Sequence, residues 1–224
     1  MKTIKYLIAA LVLVFMTQAQ TATAQVAIKG GVNFASMNFD SEDTDLTDLA
    51  ENGAVKFTIG ASFVLPIGGD VLALQPEILF TQKGGDSSFS LAGVEAKRDY
   101  TYNYIDIPVL LRISLGRTYG DGLGFYLNGG PYAGYALNGR SERTLGGATV
   151  ENDINFDDQD NQRRLDFGFA IGAGLTFGNL MVDLRYNHGT NNLLDDDADN
   201  SNDGDFNKLQ HRGLALTAGF FFGS

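Results

Sequence analysis

The chain has 224 residues, a net charge of −11 and no cysteine. That length suits one barrel or sandwich domain. The missing cysteines exclude a disulfide framework, a thiolate metal site and a cysteine nucleophile, and the acidity excludes a basic surface for nucleic acid.

Residues 1–24 read as a cleaved secretory signal peptide. Lys2 and Lys5 form a basic start, Tyr6 to Met16 an apolar run, and Ala22-Thr23-Ala24 a small-residue cleavage site. The apolar run is shorter than the ~20 residues a membrane helix needs. The remainder, 25–224, is left as one domain, and any membrane life it has must be as a β-barrel.

From there the chain alternates at period two, the signature of strands with two unlike faces. Segment one sets Val26, Ile28, Val32 and Phe34 against Ala27, Lys29, Gly31 and Asn33. Segment two sets Phe57, Ile59 and Phe63 against Lys56, Thr58 and Ser62. Segment three sets Leu72, Leu74, Ile78 and Phe80 against Ala73, Gln75, Glu77 and Thr81. Segment four sets Ile105, Ile107, Leu111 and Ile113 against Asp106, Pro108, Leu110 and Arg112.

Segment five runs from Leu123 to Leu137, with Tyr126 and Asn128 on the second face. Segment six, Leu165 to Phe177, alternates bulky residues with Asp166, Gly168, Ala170, Gly172, Gly174 and Thr176. Segment seven carries Asp183 and Arg185 between Leu180, Val182, Leu184 and Tyr186. Segment eight alternates Leu214, Leu216, Phe220 and Phe222 with Gly213, Ala215, Thr217, Gly219 and Phe221.

Short turns ("IGGD", "GRTYGDG", "GN") alternate with four long polar connections: 37–55, 84–98, 138–163 and 189–210. Eight segments joined short and long in turn predict an all-β, eight-stranded antiparallel up-and-down transmembrane barrel with four long external loops. Pro76 and Pro108 each lack a ladder donor, so a bulge or weak pairing is expected at both.

The second face is too poor in charge for a solvated surface and too small for a lipid-facing one. It suits a narrow lumen, and the bulky face then meets lipid. The reverse arrangement, a soluble lipocalin-like barrel, is the rival. Lys29, Lys56, Glu77, Asp106, Arg112, Arg164, Asp166, Asp183 and Arg185 all fall on the inward parity. An Arg or Lys on the lipid face would cost roughly 2–4 kcal/mol near the midplane. Paired inside, the nine form a charge network that plugs the lumen, with a proton or ion path as the alternative.

Six stretches then resemble a known group: "IKGGVNFASM", "LQPEILFTQKG", "NYIDIPVLLRI", "NGGPYAGYAL", "DFGFAIGAGLTF" and "MVDLRYNHG". In this order they are similar to the PorT-like family of outer-membrane β-barrels of Bacteroidota-type bacteria. The resemblance implies an eight-stranded outer-membrane barrel, no catalytic residues and no cofactor. It also raises an accessory role in protein secretion. One departure is the ending: Phe222 is followed by Gly223-Ser224.

The long connections hold the remaining candidates. Asp199, Ser201, Asp203 and Asp205, with Gly204 for a turn, resemble the opening of a calcium loop, but Gln210 stands where the closing Glu belongs. A solvated acidic loop explains the same residues. Tyr100, Tyr102 and Tyr104 read as an interfacial aromatic belt. His188 and His211 read as interfacial histidines without a nucleophile beside them. The expected role is a non-enzymatic structural or interaction barrel in the cell outer membrane. Its expected partners are membrane lipid, lipopolysaccharide, the assembly machinery and a protein at the external loops. A narrow transport or ligand-binding barrel is the alternative.

Overall fold

The structure, a computed structural model, describes residues 25–38, 54–69, 71–91, 94–115, 122–154, 156, 163–193 and 209–222. The strands are β1 (Gln25–Asn38), β2 (Ala54–Gly68), β3 (Leu72–Leu91), β4 (Val94–Leu115), β5 (Leu123–Leu145), β6 (Ala148–Ile154), β7 (Leu165–Phe177), β8 (Leu180–Gly189) and β9 (Gln210–Phe222). All pairings are antiparallel. Eight strands close a ring in the order β1-β2-β3-β4-β5-β7-β8-β9 and back to β1. Closure leaves the ring without an edge, as backbone in lipid requires.

The bulky faces point outward. Phe57, Ile59, Ile107, Phe125, Phe169, Ile171, Leu184 and Leu216 are exposed, and their neighbours in sequence turn inward. A lipocalin-like barrel would bury them, so the soluble alternative fails. The inward set is mostly small, polar or charged, with Val64, Leu79, Leu110, Tyr126, Met181 and Phe221 among its bulky apolar members, and most of it is buried.

The ring has the expected eight strands, and a ninth, β6, lies outside it because polar sequence above the apolar band also pairs. Two of the expected loops, 84–98 and 138–163, continue as sheet. β3 and β4 pair as far as Leu91 opposite Val94. β5 runs on to Leu145, turns at Gly146-Gly147 and returns as β6. Both glycines have positive φ, 56° and 87°, the geometry of a two-residue hairpin turn. The result is a four-stranded sheet, made of the far ends of β3, β4 and β5 together with β6, standing beyond the ring.

Pro76 and Pro108 weaken the ladder without shifting its register. Pairing lapses between Pro76–Val109 and Leu79–Asp106, and again between Pro108–Tyr132 and Leu111–Gly129, with the register unchanged. The register shifts lie elsewhere, at Pro66/Gly68 and Asn103/Tyr104. Residues 1–24, read as a signal peptide, residues 39–53 and the candidate calcium residues Asp199, Ser201, Asp203 and Asp205 lie outside the described residues.

Candidate functional site

The lumen is filled in layers. At the turn end Ala27, Val64, Ala73, Tyr126, Met181 and Phe221 pack together. Arg112 lies over this plug, its guanidinium 3.7 Å from the centre of the Tyr126 ring. It also donates to Gln75 at 3.4 Å.

The next layer is an ion cluster. Lys29 donates to Glu77 at 3.0 Å. Arg185 grips the same carboxylate with two hydrogen bonds, at 2.6 and 3.0 Å. Arg185 also lies 3.0 Å from Asp183. Tyr126 and Asn128 donate to Asp183 at 3.1 and 2.9 Å. A bidentate, hydrogen-bonded pair is the arrangement that best offsets the desolvation of buried charge.

A second cluster lies nearer the mouth. Lys83 donates to Asp106 and to Asp166, both at 2.8 Å. Its ammonium also sits over the rings of Tyr104 and Tyr132, at 4.4 and 4.8 Å. Between the two clusters is a cavity of about 20 Å³, room for one water molecule. Below the mouth, the cations Lys29, Lys83, Arg112 and Arg185 thus face the anions Glu77, Asp106, Asp166 and Asp183, four against four, while Arg212 near the outer end of β9 is a further buried cation.

Several inward glycines stand where a side chain would collide with its neighbours. A Cβ at Gly174 would enter the Tyr126 ring, and one at Gly134 would meet Asp106, Tyr104 and Lys83. At these two positions side chains from other strands fill the space, whereas at Gly31, Gly60 and Gly130 a Cβ would meet the backbone of the neighbouring strand.

The four-stranded sheet leans across the mouth. Asn33 of β1 donates to the Gln82 carbonyl at 2.8 Å. Lys56 of β2 donates to Asp99 at 2.8 Å and to Thr101 at 2.7 Å. On the other side Tyr102 and Tyr104 meet the His211 ring edge-on, with centroids 5.3 and 5.5 Å apart. A polar cleft of about 800 Å³ remains between the end of β2 and the sheet, lined by Lys56, Gln82, Asn103, Asn138, Arg140 and Arg164 among others.

Of the nine charges expected to meet in the lumen, Lys29, Glu77, Asp183 and Arg185 form one cluster, and Asp106 and Asp166 belong to the other. Arg112 sits below them on an aromatic face. Lys56 is at the mouth. Arg164 is also there, half-buried, its guanidinium over the Phe156 ring at 5.0 Å and donating to the Ala136 carbonyl at 3.5 Å. Lys83, the centre of the upper cluster, is absent from that expected set, although it is the next inward position after Thr81 on β3.

Two expectations are corrected. Tyr102 and Tyr104 form no outer belt: they share the parity of Asp106 and Arg112 and are buried in the lumen. His211 is not interfacial either, since it shares the inward face with Gly213 and Ala215 and is buried beneath the leaning sheet. His188 keeps the outward parity, half-buried, 3.3 Å from the Tyr186 hydroxyl.

Among solved structures the chain resembles the outer membrane enzyme PagL, at 14% identity over 88% of this chain and 98% of that one, with a TM-score of 0.43. It resembles Neisserial surface protein A at 14% identity over 88% and 97%, TM-score 0.42. It also resembles Ail, the attachment invasion locus protein of Yersinia pestis, in complex with the heparin analogue sucrose octasulfate. That likeness is 13% identity over 89% and 99%, TM-score 0.39. No curated protein matches the chain. The family described as outer membrane protein beta-barrel domain matches residues 18–195. The chain therefore belongs to that family, and its closed ring of apolar-faced strands resides in the cell outer membrane.

Proposed function

We propose that this barrel is a non-enzymatic anchor with a closed lumen, holding its sheet and loops outside the membrane for interaction with other molecules. One observation carries the reading: Arg185 on β8 bonds Glu77 on β3, and those strands are diametrically opposite in the ring of eight. A pair that spans the diameter occupies the bore. Tyr102 on β4 against His211 on β9, again opposite strands, does the same nearer the mouth.

The balanced charges and the one-water cavity argue against a solute path and for a structural plug. The six motifs support a place among PorT-like barrels, which leaves a secretion role open to a protein partner at the same outer surface. Single-channel recording in planar bilayers tests the closed lumen. The folded protein is expected to give no stable openings, and persistent openings overturn the proposal.

A further inference from the structure

β6 has a partner on one side only. It pairs with β5 through all 7 of its residues without a shift, and among the described residues no strand pairs with its other edge. The two-residue turn fixes which groups that edge presents. Leu145 and Ala148 flank Gly146-Gly147, so they form the first hydrogen-bonded pair, and bonded and non-bonded pairs alternate from there. Val150, Asn152 and Ile154 therefore direct their N–H and C=O groups to β5. Thr149, Glu151 and Asp153 direct theirs away. The close approach of the Thr144 and Thr149 hydroxyls, 2.9 Å, fits a non-bonded pair.

Charge selects what can add there. Glu151 and Asp153 share a face with Glu142 and Arg140 one strand in, with Arg140 3.4 Å from Glu151 and Lys56 and Arg164 farther back in the cleft, but β6 itself carries these two carboxylates and no cation. The edge strand is therefore acidic. The opposite face offers Val150, which is 59% exposed, beside Arg143. A second copy of the chain fits badly, because antiparallel pairing centred on Glu151 sets it against its own equivalent. β6 also carries no lysine, proline or bulge, the usual guards of an open edge.

We propose that the open edge of β6 is a docking site for an extended basic polypeptide, which adds as a further strand beside Thr149, Glu151 and Asp153. Its basic side chains would face Glu151 and Asp153, and its β-branched ones would lie over Val150. This deepens the reading of the barrel as an interaction anchor and rests on it. It does not depend on whether the lumen conducts, so a conducting barrel that still bound the peptide would overturn only the closed plug.

The test uses the whole protein in zwitterionic detergent and a labelled peptide, Lys-Val-Lys-Thr-Lys-Val-Lys. The same peptide with Glu for Lys is the control. Binding is read by fluorescence anisotropy and by amide hydrogen exchange. The lysine peptide is expected to bind and to slow exchange at Thr149, Glu151 and Asp153, leaving Val150 and Asn152 as they were. Glu151→Pro removes an outward N–H and spares the ladder to β5. Asp153→Lys reverses a charge and keeps the backbone. Each is expected to weaken binding by about tenfold or more. The proposal is overturned if the wild type does not bind the lysine peptide, if the Glu peptide binds as well, or if either variant binds as the wild type does.

Discussion

Arg185 and Glu77 join opposite walls of the barrel through two hydrogen bonds, 2.6 and 3.0 Å long, with both side chains buried. Lys29 shares the carboxylate, so one glutamate ties β1, β3 and β8 together. Such a pair is a weak source of net stability, yet removing one partner strands the other in a dry interior. Arg185→Ala is therefore expected to cost about 3–5 kcal/mol. Replacing both members together, as Arg185→Met with Glu77→Leu, is expected to restore most of the loss. The temperature at which the folded band shifts on an unboiled gel measures both.

Gly174 gives Tyr126 its place. A side chain there meets the ring, and the ring is already held by Asp183 and Arg112. Gly174→Val is expected to destabilise the barrel by about 1–3 kcal/mol through overpacking. Adding Tyr126→Leu is expected to recover part of that by emptying the space. Urea midpoints of the refolded protein in detergent give the comparison.

Ile171 tests which face meets lipid. It sits at the middle of β7, 67% exposed, on the outward parity. Ile171→Arg is expected to cost roughly 2–4 kcal/mol near the bilayer midplane. Arg140→Ala, on the sheet beyond the membrane, is expected to change folding by less than about 1 kcal/mol, because its pairing with Glu151 is exposed. Equilibrium folding into phospholipid vesicles separates the two, and equal costs would contradict the assigned faces.

The wall of the barrel was legible in the sequence because lipid enforces alternation there. A charge on the wrong face is costly, so Lys29, Glu77, Asp106, Asp183 and Arg185 all keep one parity. That constraint ends with the apolar band. Beyond it, residues 82–91 and 138–154 pair as sheet with no need of an apolar face, so they read as polar loops. Leu145-Gly146-Gly147-Ala148 was the signal that a hairpin stood there.

The upper half of the site was obscured for the same reason. Lys83 continues the inward series of Gln75, Glu77 and Thr81 by one step past the last bulky outward residue. Tyr102 and Tyr104 look like belt residues by type, and only the parity they share with Asp106 sends them inside. Which wall each charge would meet depends on the ring order, and alternation carries no information about that.

Thiol accessibility tests the closed lumen most directly, because the chain contains no cysteine to interfere. Ser62 is fully buried on β2, opposite Glu77, whereas Asn138 is exposed in the cleft at the mouth. Ser62→Cys and Asn138→Cys would each be treated, folded, with a small water-soluble thiol reagent. Asn138→Cys is expected to react freely, and Ser62→Cys about a hundredfold more slowly until the barrel is unfolded. Equal rates would show that water passes the leaning sheet and reaches the level of the Arg185–Glu77 pair, and the closed-lumen reading would be wrong.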